Sequence, residues 1–347
     1  MKEIFKKNNE ALSTISGSLP KPKWLAETGK LWGKWKLSGK KLQQAKIKAL
    51  RLTVKDQTNS GLSIITDGEQ TRQHFVTTFI ENLSGVDFKN KKVVRIRDRY
   101  DALVPVVTKK ITRKKNIFVN DAKILRKLTD KPIKISIPGP MTMVDTLYDD
   151  FYYSREKLAW RFAEVLNEEA RLLEKAGVDI IQFDEPAFNV FFDEVRKWGI
   201  KTLERAARGL KCKTAVHICY GYGIKANIDW KKGLGKRWLQ YKHVFPLLAK
   251  SKINQVSLEC INSKVPMSLI SLLKNKEILV GSIDVATNKV ESATQVYNNL
   301  KKALKYTSIK NLYSCSNCGL ITLPRKVALA KMKSLSKGTD LLNKRNI

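Results

Sequence analysis

His217 and Cys219 stand two residues apart at the end of an apolar run, in the stretch "TAVHICYGYG". The whole chain holds three histidines and five cysteines, so so close a pair carries chemical weight. On a β-strand, residues i and i+2 face the same side. An imidazole and a thiolate on one face suit Zn2+, which takes nitrogen and sulfur ligands in a tetrahedral set. Two further ligands are wanted. Glu259 in "SLECINS" and Cys318 in "CSNCGL" can supply them. Taken singly, a buried cysteine reads as a small hydrophobe, and a histidine on an apolar run as a satisfied core residue. Their coincidence with acidic and thiol groups at the ends of other strand-like runs favours a metal. The spacing of Cys315 and Cys318 would also fit half a zinc ribbon or a redox pair, but no second CxxC and no thioredoxin-like pattern accompanies it. Cys212 and Cys260 read as structural.

Side chains so far apart in sequence need a scaffold that gathers strand ends. Short β-branched runs recur at Leu12–Ser16, Leu62–Thr66, Ile133–Ile137, Val178–Phe183, Lys213–Ile218, Asn254–Leu258, Ile278–Ile283 and Asn311–Ser314. Helical periodicity lies between them, most clearly from Ser154, a candidate N-cap, to Ala176. Other helical stretches are Lys41–Asn59, Val190–Leu210, Val290–Tyr306 and Pro324–Leu335. Strands alternating with helices imply right-handed crossovers and a parallel sheet. The pattern predicts an α/β fold, a single (β/α)8 TIM barrel over residues 1–347 with a core of about 12–340. The stretch 84–118 breaks the rhythm with alternating charged and apolar residues and reads as an inserted hairpin after the second strand.

In such a barrel the site forms at the carboxyl ends of the strands. Polar groups gather there in this sequence: Ser18 after the first run, Asp67, Glu69 and His74 after the second, Asp184 and Glu185 after the fourth. His217 and Cys219, Glu259, Asp284 and Cys318 follow the later ones.

Composition narrows the function classes. No run of about 18 apolar residues suggests a membrane span, and the N-terminus lacks the apolar core of a signal peptide. An odd cysteine count points to free thiols in a reducing, cytoplasmic setting. The formal charge of +34 invites a nucleic-acid reading. The lysines, however, spread along the whole chain and over predicted helix faces, without a basic tail or a finger spacing. A solvated basic surface accounts for them, and attraction of anionic substrates stays open.

With these residues assembled, the chain resembles the cobalamin-independent methionine synthase family, in particular its C-terminal catalytic barrel and its short, core-type members. "GSLPKP", "DGEQTR", "IIQFDEPAF", "HICYGYG", "SLECINS" and "CSNCGL" match the family's motifs in order, from about residue 13 to about 326. The resemblance implies one zinc per chain on His217, Cys219, Glu259 and Cys318. It implies that Ser18 binds the homocysteine carboxylate, while Glu69 and Asp184 bind its amino group. It implies transfer of a methyl group to homocysteine to give methionine, with 5-methyltetrahydrofolate as co-substrate and no bound cobalamin.

The donor half departs from the family. Where full-length members carry a general-acid histidine, "SIDVATN" has Ala286, and Thr146 stands roughly where a pterin-stacking tryptophan is expected. Val190 replaces a later glutamate of the DEPA motif. Displacing the amine of methyltetrahydrofolate requires protonation, and His74 and Asp284 are the candidates for the catalytic acid. A methylated corrinoid or its carrier protein is the alternative donor, since its methyl leaves without that proton. The altered side also leaves room for a partner protein in donor use. Other acceptors such as coenzyme M, a metal-free decarboxylase of related barrel fold, and a basic RNA-binding protein complete the alternatives.

Overall fold

The computed structural model describes residues 10–222 and 224–345. Eight parallel strands form its centre: β1 (Leu12–Ser13), β2 (Ile65–Thr66), β5 (Ile133–Pro138), β7 (Ile180–Asp184), β8 (Lys213–Ile218), β9 (Gln255–Glu259), β10 (Glu277–Ile283) and β11 (Leu312–Ser316). Each falls on one of the expected runs. Their order is β1-β11-β10-β9-β8-β7-β5-β2. Closure between the first and last is made by Ser63 and Ile64, whose N–H groups donate to the Ser13 carbonyl at 3.1 and 3.0 Å. The sheet is thereby a (β/α)8 barrel.

Alternation along each strand sorts the side chains. Ile180, Ala215, Leu279, Tyr313 and Cys315 meet inside the barrel with Ile64. Ile181, Val216, Val280 and Leu312 face outward into the main apolar core against the helices. Odd-numbered residues of β8 therefore face inward, which carries the inner face from Ala215 to His217 and on towards Cys219.

The helices Gly39–Asn59, Arg155–Lys175 and Ala293–Ala303 occupy expected positions. Ser154 caps the second by accepting the Lys157 N–H. Ser292 and Gln295 close a capping box on the third. Two expectations are corrected. The predicted helix Val190–Leu210 is broken into a 3-10 turn (Pro186–Asn189), a short helical turn (Phe192–Glu194), a π turn (Val195–Gly199) and a helix (Ile200–Ala206). At the wide turn, a Cβ on Gly199 would lie 3.4 Å from Phe188 and 3.5 Å from the Met141 sulfur, in ordinary van der Waals contact. The last helix runs on from Arg325 to Arg345, past the predicted end at Leu335.

The insertion is an antiparallel hairpin of β3 (Leu83–Ile96) and β4 (Tyr100–Arg113), extended by β6 (Tyr148–Asp149) beside β4. Its tip is tight, with Arg97 and Asp98 in the left-handed region at φ 47° and 54°. Among the described residues no helix is long and apolar enough to cross a membrane.

Candidate metal and substrate site

Three of the four expected metal ligands converge at the carboxyl rim. Ligand atoms of His217, Cys219 and Cys318 lie within 4.8 Å of one another. The two sulfurs are 3.3 Å apart. His217 Nδ1 is bonded to Ser257 Oγ at 2.8 Å, across the β8–β9 register. Its Nε2 is buried and has no hydrogen-bond partner. An orphaned imidazole nitrogen beside two thiols is costly unless something fills the gap; a soft divalent cation would fill it, and the donor set fits zinc. Ser257 supplies the outer contact that fixes the ring.

Charge in the cluster is shared unequally. The hydrogen bond from Cys318 holds the Cys219 thiol well below its usual range, with His217 adding to the effect. The Cys318 thiol is pushed up by the same contact. Burial works to lower His217, yet Cys219 beside it leaves its pKa raised. A metal bound there would displace the thiol protons.

Glu259 stands apart from this group. Its carboxylate accepts from the Tyr222 hydroxyl at 2.5 Å and the Tyr220 N–H at 3.2 Å, and Lys231 lies 3.5 Å away. Burial pushes it up to about 7. It is within the same neighbourhood as the thiols but is committed to other partners.

A cleft opens over the three ligands, lined also by Ser18, Glu69, His74 and Asp184. The turn after β2 shows how its motif builds the wall. Asp67 accepts the Glu69 N–H at 3.1 Å and pairs with Arg72 at 2.5 Å, while Glu69 sits at φ 54°. Strain of this kind is held at functional positions. Glu69 accepts from Ser136 Oγ at 2.9 Å, and burial raises its pKa. Asp184 Oδ1 accepts from Gln182 Nε2 at 2.8 Å, and burial lifts it to about 7, opposed by His217. Ser18 is pressed by the backbone of the last loop: a Cβ on Gly319 would come within 2.0 Å of its Oγ. Glu185, the neighbour of Asp184, turns away to accept from the N–H groups of Met141 and Thr142 and the Thr142 hydroxyl, and so anchors the short helix Pro140–Val144.

The two candidate acids take different places. His74 lines the cleft, its ring stacked on Trp32 at 4.3 Å and met edge-on by Phe75 at 4.7 Å. Thr77 N–H donates to its Nδ1 at 3.3 Å. Burial, then Arg97 and Lys21, push its pKa down to about 3, so the ring is neutral near pH 7. Asp284 is not among the lining residues; its oxygens accept from Asn262 Nδ2 and the Ala286 N–H, both at 2.9 Å.

Sequence reading did not single out Trp32, Phe75, Arg97, Tyr100, Tyr222 or Asn227, which also line the cleft. Arg97 and Tyr100 arrive on the inserted hairpin. Arg99 pins that tip to the rim by donating to the Tyr220 carbonyl and Asn227 Oδ1, both at 3.0 Å, with its guanidinium 3.5 Å over Trp230. The charged turn "RIRDRYD" was the visible signal, but nothing local says which way a hairpin folds.

Fold and rim together define a (β/α)8-barrel protein with a His/Cys/Cys centre at its strand ends. The family described as Cobalamin-independent synthase, Catalytic domain, matches residues 12–339. The chain belongs to this family of cobalamin-independent methionine synthases. It is 32% identical over 329 residues to the methionine synthase of Sulfolobus acidocaldarius, covering 94% of this chain and 91% of that one. The methionine synthase of Saccharolobus solfataricus is 31% identical over 335 residues, 95% and 94% of the two chains. Among solved structures, a B12-independent methionine synthase from Shewanella sp. W3-18-1 in complex with selenomethionine superposes with TM-score 0.94 at 60% identity, covering 96% and 98% of the two chains. A methyltransferase from Methanosarcina mazei, at 13% identity and TM-score 0.65 with 97% and 96% covered, shares the fold.

Proposed function

We propose that this protein transfers a methyl group to the thiol of L-homocysteine, forming L-methionine on a zinc centre held by His217, Cys219 and Cys318. The observation that carries the reading is the unpaired, buried Nε2 of His217 facing two thiols at the base of an open cleft. Zinc bound there would keep the substrate sulfur as a thiolate, which a free thiol with a pKa of roughly 8.5 is not at neutral pH. Glu259 is proposed as the fourth ligand, and to join it must leave the Tyr222 hydroxyl. The position that Glu259 would hold is the one a substrate sulfur would take in its place.

The chain's own residues orient the acceptor. Ser18 takes the carboxylate, and Glu69 with Asp184 takes the ammonium from two sides of the cleft. The sulfur then attacks the donor methyl in line; an S–CH3 bond forms as the bond to the leaving group breaks. Fixing the acceptor in this way removes much of the entropic cost of the encounter. The paired acids favour an amino acid over a sulfonate thiol. Free cysteines throughout suit a reducing, cytoplasmic setting.

5-Methyltetrahydrofolate is the proposed donor. A specific observation favours a second reading. His74, pushed down to about 3, holds no imidazolium proton near pH 7, and Asp284, bonded to Asn262 and Ala286, does not line the cleft. A methylated corrinoid, free or on a carrier protein, needs no such proton. The deciding experiment is methionine formation by zinc-loaded protein offered 5-methyltetrahydrofolate (mono- and polyglutamate) and methylcobalamin separately, with and without cell extract. Full activity in metal-free protein overturns the zinc reading. Turnover only with extract assigns a partner to donor use.

A further inference from the structure

Lys134 is a charged side chain inside the barrel, 1% exposed. It shares the inner face of β5 with Ser136, opposite Ile180 and Gln182 of β7. At comparable depth the barrel is filled by Ile180, Ala215 and Leu279. Burying an ammonium costs several kcal/mol unless partners repay it. Burial does lower its pKa, and the groups that oppose this are Cys315 and Asp184.

The contacts run in one direction. Lys134 Nζ donates to Gln182 Oε1 at 2.8 Å. Gln182 Nε2 donates to Asp184 Oδ1 at 2.8 Å and to the Ser16 carbonyl at 2.6 Å. An ammonium can only donate, so it accepts no orientation of the amide except carbonyl towards itself. That leaves the NH2 group facing the carboxylate. Reversed, the amide would set oxygen against oxygen at Asp184 and nitrogen against Lys134. Lys134 and the Ser16 carbonyl thus enforce the same orientation from the two ends of the amide.

We propose that Lys134 is a positioning residue for the acceptor: acting through Gln182, it aims Asp184 and offsets its charge, so that the second carboxylate oxygen faces the amino group of the amino-acid substrate. The inference rests on the assignment of Asp184 to that amino group. It makes amine recognition, and not methyl transfer as such, depend on a side chain that never touches the substrate.

The test uses zinc-loaded full-length protein and needs no methyl donor. Calorimetry would compare L-methionine with 4-(methylthio)butanoate, which lacks only the amino group, on wild type, Lys134→Met and Gln182→Glu. Gln182→Glu keeps an ion pair for Lys134 but presents no N–H to Asp184, so it holds the core where Lys134→Met does not fold. The expected result is about tenfold weaker methionine binding in either variant, with the desamino analogue unchanged within about twofold. Parallel losses for both ligands, or no loss for either, overturn the proposal. A wild type that does not distinguish the two ligands at all overturns instead the assignment of Asp184 and Glu69.

Discussion

The sulfurs of Cys219 and Cys318 lie 3.3 Å apart although 99 residues separate them along the chain. Only the closing of the sheet brings β8 and β11 ends to one spot, with the His217 ring as the third member. Cys315, three residues earlier in the same CxxC, is buried in the barrel interior beside Ile64 and Tyr313 instead.

Metal content is expected to follow this geometry. Wild type should carry about one zinc per chain, and Cys219→Ser or Cys318→Ser should lose nearly all of it by elemental analysis. Glu259→Gln should keep the metal with affinity lowered by about tenfold, because three donors converge without it. If Glu259→Gln empties the site as fully as Cys219→Ser does, the fourth position belongs to the protein more firmly than its hydrogen bond to Tyr222 suggests.

Gly319→Ala should damage the acceptor subsite while sparing the fold. The added Cβ would sit 2.0 Å from Ser18 Oγ, so the serine must move. Moving the serine by roughly 1 Å predicts about a hundredfold loss in kcat/KM for homocysteine. Ser18→Ala in the same background should add little further. A double variant whose losses multiply would show that Gly319 acts elsewhere.

The hairpin tip is held by an expensively buried cation. Arg99 is 8% exposed, and its Nε and Nη2 have no partner. Arg99→Met should free the turn at Arg97 and Asp98, costing about 2 kcal/mol locally as its acceptors lose their donor. Trypsin should then cut near Arg97 faster, with the thermal midpoint of the barrel little changed. Unchanged protease resistance would mean that the strands β3 and β4 alone fix the tip.

His74 makes a pH prediction with a definite sign. Its pKa in the folded protein, about 3, lies below the ordinary 6.5. Between those values the unfolded chain binds a proton that the folded protein refuses, so stability falls as pH drops below about 6.5. Above 6.5 the group contributes no slope. His74→Gln should flatten the fall in thermal midpoint between about pH 6.5 and pH 4. Identical profiles for variant and wild type would show that the imidazole protonates freely in the fold.

Much of this architecture was legible in the sequence because it is periodic. Strands such as Ile180–Asp184 are buried on both faces, as parallel strands covered by helices must be. Ser154 announced a helix start through chemistry confined to one turn. The broken stretch after Val190 was not legible, since nothing in its local periodicity marks the 3-10 and π turns that interrupt it.

For the site, residue types two apart on one strand were enough to nominate His217 and Cys219, because side-chain direction along a strand is a local property. Whether Glu259 faces the sulfurs or Tyr222, and whether His74 can hold a proton, depends on what surrounds each group. Those surroundings come from Tyr222, Lys231, Trp32 and Arg97, side chains outside their own strands. The amino-acid order set which groups reach the rim; burial and neighbours, which exist only once the barrel closes, decided their charge and their aim.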